Sequence, residues 1–65
     1  MDKVAIGAKL RLLRGKTTQK EVAESIGVLP SSYSMYENGQ RTPSDETKLK
    51  LAKYYGTTVQ AIFFE

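Results

Sequence analysis

Ser31, Ser34, Met35 and Asn38 recur at i, i+3, i+4 and i+7, the spacing that gathers side chains on one face of an α-helix. Two hydroxyls and an amide can donate or accept hydrogen bonds, and the thioether offers a soft apolar contact. None of the four is a general base or an activated nucleophile. Their chemistry suits a surface that reads another surface. Histidine and cysteine are absent altogether. That removes the commonest general base, the commonest zinc ligand, a thiol nucleophile and any disulfide together. Asp45 and Glu46 are adjacent carboxylates placed where negative charge complements the start of a helix. No nucleophile–base pair, phosphate-cradling loop or metal-ligand spacing is present, so neither catalysis, a cofactor nor a small-molecule ligand is expected.

A recognition face needs a scaffold, and 65 residues set its size. Such a chain makes one domain, residues 1–65, and buries only about 60% of the surface its unfolded form exposes. Hydrophobic content of 40% suits a packed domain. Lys+Arg number 10 against Asp+Glu 7, a net charge of +3, which permits an anionic partner without proving one. No apolar run approaches the ~18 residues of a membrane span. The start, Met1-Asp2-Lys3-Val4, lacks the pattern of a secretory signal. A soluble cytoplasmic domain is therefore expected.

Gly15, Gly27, Pro30, Gly39, Pro43 and Gly56 cut the chain into five segments, each with helical rather than alternating periodicity. The first, about Val4 to Arg14, should bury Ile6, Leu10 and Leu13 and leave Leu12 off the stripe. The second, Gln19 to Ile26, opens on a capping box, Thr18 with Glu21, and should bury Val22, Ala23 and Ile26. The third, Pro30 to Glu37, starts on a proline, which suits a first helical position. It carries two stripes: Leu29, Tyr33 and Tyr36 should be core, and the serine–methionine stripe has nothing obvious to bury against. The fourth, Asp45 to Tyr55, has Ser44 as its cap and Leu51, Ala52 and Tyr55 as its core stripe. The fifth begins at the cap Thr58 and ends in Ile62, Phe63 and Phe64. Those three exceed what a five-helix core should absorb, so they are expected to form a self-complementary patch at a two-fold axis.

Segments two and three are two short helices joined by a turn of about three residues that opens on glycine, the geometry of a helix-turn-helix over about residues 18–37. Small side chains let the second helix of such a pair approach a DNA major groove closely. At this point the run Thr18-Gln19-Lys20-Glu21-Val22-Ala23-Glu24-Ser25-Ile26-Gly27-Val28 resembles the lambda-repressor/Cro-like, XRE-type helix-turn-helix family. Ser34-Met35-Tyr36-Glu37-Asn38-Gly39-Gln40-Arg41-Thr42-Pro43-Ser44 resembles its continuation, Ile6 to Arg14 its first helix, and Leu51-Ala52-Lys53 and Gly56-Thr57-Thr58-Val59 its last two.

The resemblance implies an all-α, compact five-helix domain. It implies a sequence-specific transcriptional regulator, a repressor by first expectation, acting as a homodimer on double-stranded DNA with the third helix in the major groove. It puts Pro30, Ser31 and Met35 opposite base edges; the uncovered stripe adds Ser34 and leaves Met35 open to apolar contact with thymine methyls. Gln19, Ser32, Asn38, Gln40 and Arg41 fall at phosphate-contacting positions. Arg14 and Glu37 match a pair that ties the first helix to the third. The sequence departs from the family pattern at three places. Leu29 replaces the usual Ser or Thr cap, leaving Ser31 as an alternative cap. Pro30 replaces a residue that often reads bases, and the connector Gly15-Lys16-Thr17 is short. The alternative function on this fold is a protein-interaction module, such as an antitoxin or an adaptor.

Overall fold

Four of the five helices among the described residues begin where a side chain satisfies an orphan backbone N–H. The computed structural model describes residues 2–64. Its elements are α1 (Lys3–Arg14), α2 (Gln19–Ile26), α3 (Pro30–Glu37), α4 (Asp45–Tyr54) and α5 (Val59–Phe63). Asp2 caps α1, accepting from the Ala5 N–H at 2.7 Å. Thr18 caps α2 through the Glu21 N–H at 3.1 Å, Ser44 caps α4 through Thr47 at 3.3 Å, and Thr58 caps α5 through Ala61 at 3.0 Å. A cap of this kind contributes about 1 kcal/mol. Helix α3 differs: its cap position is Leu29, with no side-chain hydrogen bond, and Pro30 follows directly. Pro30 supplies no N–H to orphan. Ser31 lies inside the helix and does not cap it.

The turn between α2 and α3 depends on Gly27, whose φ of 77° is left-handed. That conformation lets the Val28 N–H reach back to the Ala23 carbonyl at 3.0 Å and close α2. Val28 packs against the core. The core gathers Ile6, Leu10, Val22, Ala23, Ile26, Tyr33, Tyr36, Leu51, Ala52, Ile62 and Phe63.

Three expectations about this core are corrected. Leu13 is 41% exposed. Its place on the inner face is taken by Gly7, because α1 is turned to bring Gly7 against α3 and Arg14 inward. Leu29 is 68% exposed rather than core. It sits at the extended cap position, φ −70° and ψ 144°, so the helical spacing that aligned it with Tyr33 and Tyr36 does not apply. Ile62 and Phe63 are buried within the single chain, so they are not a dimer patch; Phe64 alone of the three stays out, at 62% exposure. Helix α5 folds back along α1 and α4, and its inner face closes the core there. The Lys9 ammonium ties α1 to the end of α5 through the Ala61 carbonyl at 2.7 Å.

Candidate nucleic-acid interface

The last residue of α3 anchors the helix. The Glu37 side chain is completely buried. Its Oε2 accepts from Arg14 Nε at 2.7 Å, and its Oε1 accepts from Arg14 Nη2 at 3.0 Å and Gln19 Nε2 at 2.9 Å. The Arg14 fork is thus bidentate, the geometry in which guanidinium and carboxylate bind best. Arg14 Nη1 also donates to the Thr17 carbonyl at 2.8 Å, and Arg11 Nη1 to the Glu37 backbone carbonyl at 3.0 Å. One carboxylate therefore joins α1, the α1–α2 connector, the start of α2 and the end of α3. Burial alone would push the Glu37 carboxyl up, but the hydrogen bonds from Arg14 and Gln19 outweigh it and hold the group below its ordinary value. The Arg14 guanidinium is pushed up by its hydrogen bond to Glu37, against the opposing effect of burial.

Two further features set the pose of α3. A Cβ built on Gly7 would lie 2.1 Å from the Glu37 carbonyl oxygen, so α1 and α3 approach as only glycine permits. Opposite, the buried Tyr33 hydroxyl pairs with that of Tyr55 at 2.7 Å, linking α3 to the end of α4. Burial and this hydrogen bond together push the Tyr33 hydroxyl far above its ordinary value.

With its tyrosines and Glu37 held inside, α3 turns its other flank outward. Pro30, Ser31, Met35 and Asn38 are exposed, Met35 at 39%, and Ser32 and Ser34 are half-buried. Asn38 Nδ2 donates to Ser34 Oγ at 3.4 Å, leaving the serine O–H free to donate. Because Glu37 is buried and paired, this flank presents no carboxylate. Gln40 and Arg41, just past α3, are exposed, as are Lys16 and Lys20 on its α2 side. Gln19 is half-buried, with its amide turned to Glu37, so one Nε2 proton remains for an outside acceptor. No group of His, Cys, Asp or Glu able to hold a metal occurs among the described residues, and no helix is long and apolar enough to cross a membrane.

Sequence reasoning missed four contributors: Gly7, Arg11, the Tyr33–Tyr55 hydroxyl pair and the outward Leu29. Gly7 carried a signal, since a glycine within a helix costs about 1 kcal/mol relative to alanine and calls for a packing reason. Arg11 carried none, because its partner is a backbone carbonyl.

A capped α2, a glycine turn and a second helix with a small, uncharged outer flank define an XRE-type helix-turn-helix of the kind found in DNA-binding transcription regulators. The chain belongs to the helix-turn-helix family, whose model matches residues 8–62. It is 44% identical over 54 residues to the cryptic phage CTXphi transcriptional repressor RstR of Vibrio cholerae, a match covering 80% of this chain and 49% of that protein. The chain thus spans about half the length of this relative. Among solved structures it resembles the restriction-modification controller protein C.AhdI from Aeromonas hydrophila, with a TM-score of 0.84 and 32% identity over 92% of this chain and 94% of that one. It also resembles the clp gene regulator ClgR from Corynebacterium glutamicum, with a TM-score of 0.82 and 31% identity over 92% of this chain and 66% of that one.

Proposed function

We propose that this chain is a sequence-specific transcriptional repressor, not an enzyme, that acts in the cytoplasm as a homodimer on a two-fold-related DNA site. The observation that carries this reading is the outward flank of α3, which presents no charge and, apart from Met35, only small or short side chains. Pro30, Ser31, Ser34 and Met35 face the base edges in the major groove. Gln19, Ser32, Asn38, Gln40 and Arg41 hold the phosphates on either side. Gln19 does so with its one remaining amide proton, beside the positive end of the α2 dipole. Repression follows from occupancy, since a bound protein excludes polymerase from the same duplex.

Size supports the homodimer. The protomer is 25 × 23 × 22 Å, smaller than the ~34 Å between successive major grooves on one side of a duplex, so one copy reads one half-site. Phe64 and the exposed rim of Leu12 and Leu13, which borders an apolar groove between α1 and α5, are the surface offered to a second copy.

Selection of bound duplexes from a random pool tests the reading. It should return a two-fold-symmetric site whose halves lie about one turn apart. Affinity should fall steeply as salt rises, because phosphate contacts release counterions. The exposed Leu29 and Met35 favour one second reading, a protein docked on α3. Failure to recover any duplex, or binding indifferent to salt, favours that reading.

A further inference from the structure

The N-terminal tip of α3 exposes an apolar side chain that lies outside the hydrophobic core. Leu29 is 68% exposed, Pro30 follows it on the surface, and Met35 is 39% exposed on the same helix. Leu29 is held there by local geometry. The residue before a proline is confined to extended backbone, and Leu29 lies at φ −70° and ψ 144°. The side chain therefore leaves the main chain at the tip of the helix, ahead of the first helical turn.

The polar groups beside it limit what this tip can read. No Arg, Lys, Asn or Gln lies between Leu29 and Glu37. The forks that recognise guanine through O6 and N7, or adenine through N6 and N7, are thus missing from the part of the helix that enters a groove first. Asn38 carries the nearest amide, at the far end of α3, and it donates to Ser34. The serine hydroxyls accept or donate singly and discriminate little. One feature of a base edge in the major groove is apolar, the C5-methyl group of thymine.

We propose that Leu29 is a specificity-determining residue, and that Leu29, with Met35, selects thymine through its methyl group. This deepens the reading of α3 as the recognition helix and rests on it. Leu29 takes no part in the core or the Glu37 network, so its role can be removed without disturbing the fold.

The experiment starts from a tight-binding duplex. Each thymine of one half-site is replaced in turn by deoxyuridine, which deletes the methyl and keeps every hydrogen-bonding group. Wild type should lose about fourfold in affinity at one or two positions, the equivalent of one methylene's worth of burial. Leu29→Ala should bind the parent duplex more weakly, lose nothing further at one such position, and melt at the wild-type temperature. Met35→Ala should do the same at a second position. The inference is overturned if wild type binds every uracil duplex as tightly as the parent. It is overturned equally if Leu29→Ala remains as sensitive as wild type at every position. Failure of wild type to bind any duplex instead refutes the underlying reading of α3.

Discussion

Replacing Gly7 by alanine tests the closest approach in the molecule. On an open helix surface this substitution stabilises by about 1 kcal/mol, because alanine gives up less backbone freedom. Here the new methyl would sit 2.1 Å from the Glu37 carbonyl oxygen, 2.7 Å from its carbon and 3.0 Å from the Tyr36 oxygen. Those atoms are backbone and cannot rotate away, so α1 must retreat from α3 before the methyl reaches the 3.4 Å of ordinary contact. The retreat stretches the Arg11 hydrogen bond to the same carbonyl and the bidentate Arg14–Glu37 pair, now 2.7 and 3.0 Å. Overpacking costs about 1–3 kcal/mol, and weakened bonds to a buried charge cost about as much again. Set against the gain in helix propensity, the net loss should be about 2–3 kcal/mol. For a domain of this size that lowers the melting temperature by roughly 10–20 °C. Thermal and urea unfolding followed by circular dichroism would measure it. A Gly7→Ala protein as stable as wild type, or more stable, would refute the claimed contact.

Arg14→Ala should destabilise by about 2–3 kcal/mol by stranding the Glu37 carboxylate, and Glu37→Ala in that background should cost little more; fully additive losses in urea melts would count against the pair. Because the folded-state pKa of Glu37 lies below its ordinary value, its ionic contribution is complete above about 4.5 and is lost as pH falls through the lower folded value. Glu37→Gln should therefore be less stable at neutral pH and show a flatter decline in melting temperature on acidification; a slope equal to that of wild type would contradict the depressed pKa. Tyr33 and Tyr55 are shifted in the opposite sense, both pushed up, so stability should fall as pH rises beyond about 10 and the unfolded chain ionises first. Tyr55→Phe should reduce that alkaline loss in pH-dependent melts. Arg41→Ala should weaken binding by a similar factor on every duplex and lower the salt slope by roughly one unit per half-site, read by titration at several salt concentrations.

Much of the fold was legible because helix boundaries are written in short-range chemistry. Thr18, Ser44 and Thr58 are capping residues, and Gly27 is the residue that tolerates a left-handed turn. The two flanks of α3 were separable for a similar reason. Within a helix the direction of a side chain follows from its number, so burying Tyr33 and Tyr36 turns Ser31, Met35 and Asn38 outward.

Sequence by itself thus determined the helices, the turn and the composition of the outward flank, all properties of residues within a few places of one another. The tertiary structure decided the rest. Leu29 points to solvent because it precedes the helix and escapes its periodicity. Ile62 and Phe63 close the core instead of a dimer seam because α5 folds back on α1 and α4, a path the apolar count of the tail could not reveal. Gln19 shares its amide with Glu37, and Gly7 admits the Glu37 carbonyl, because residues 18 and 30 positions apart are brought into contact. Contacts over that span depend on how whole helices pack, and no local pattern encodes which atom of one helix meets which atom of another.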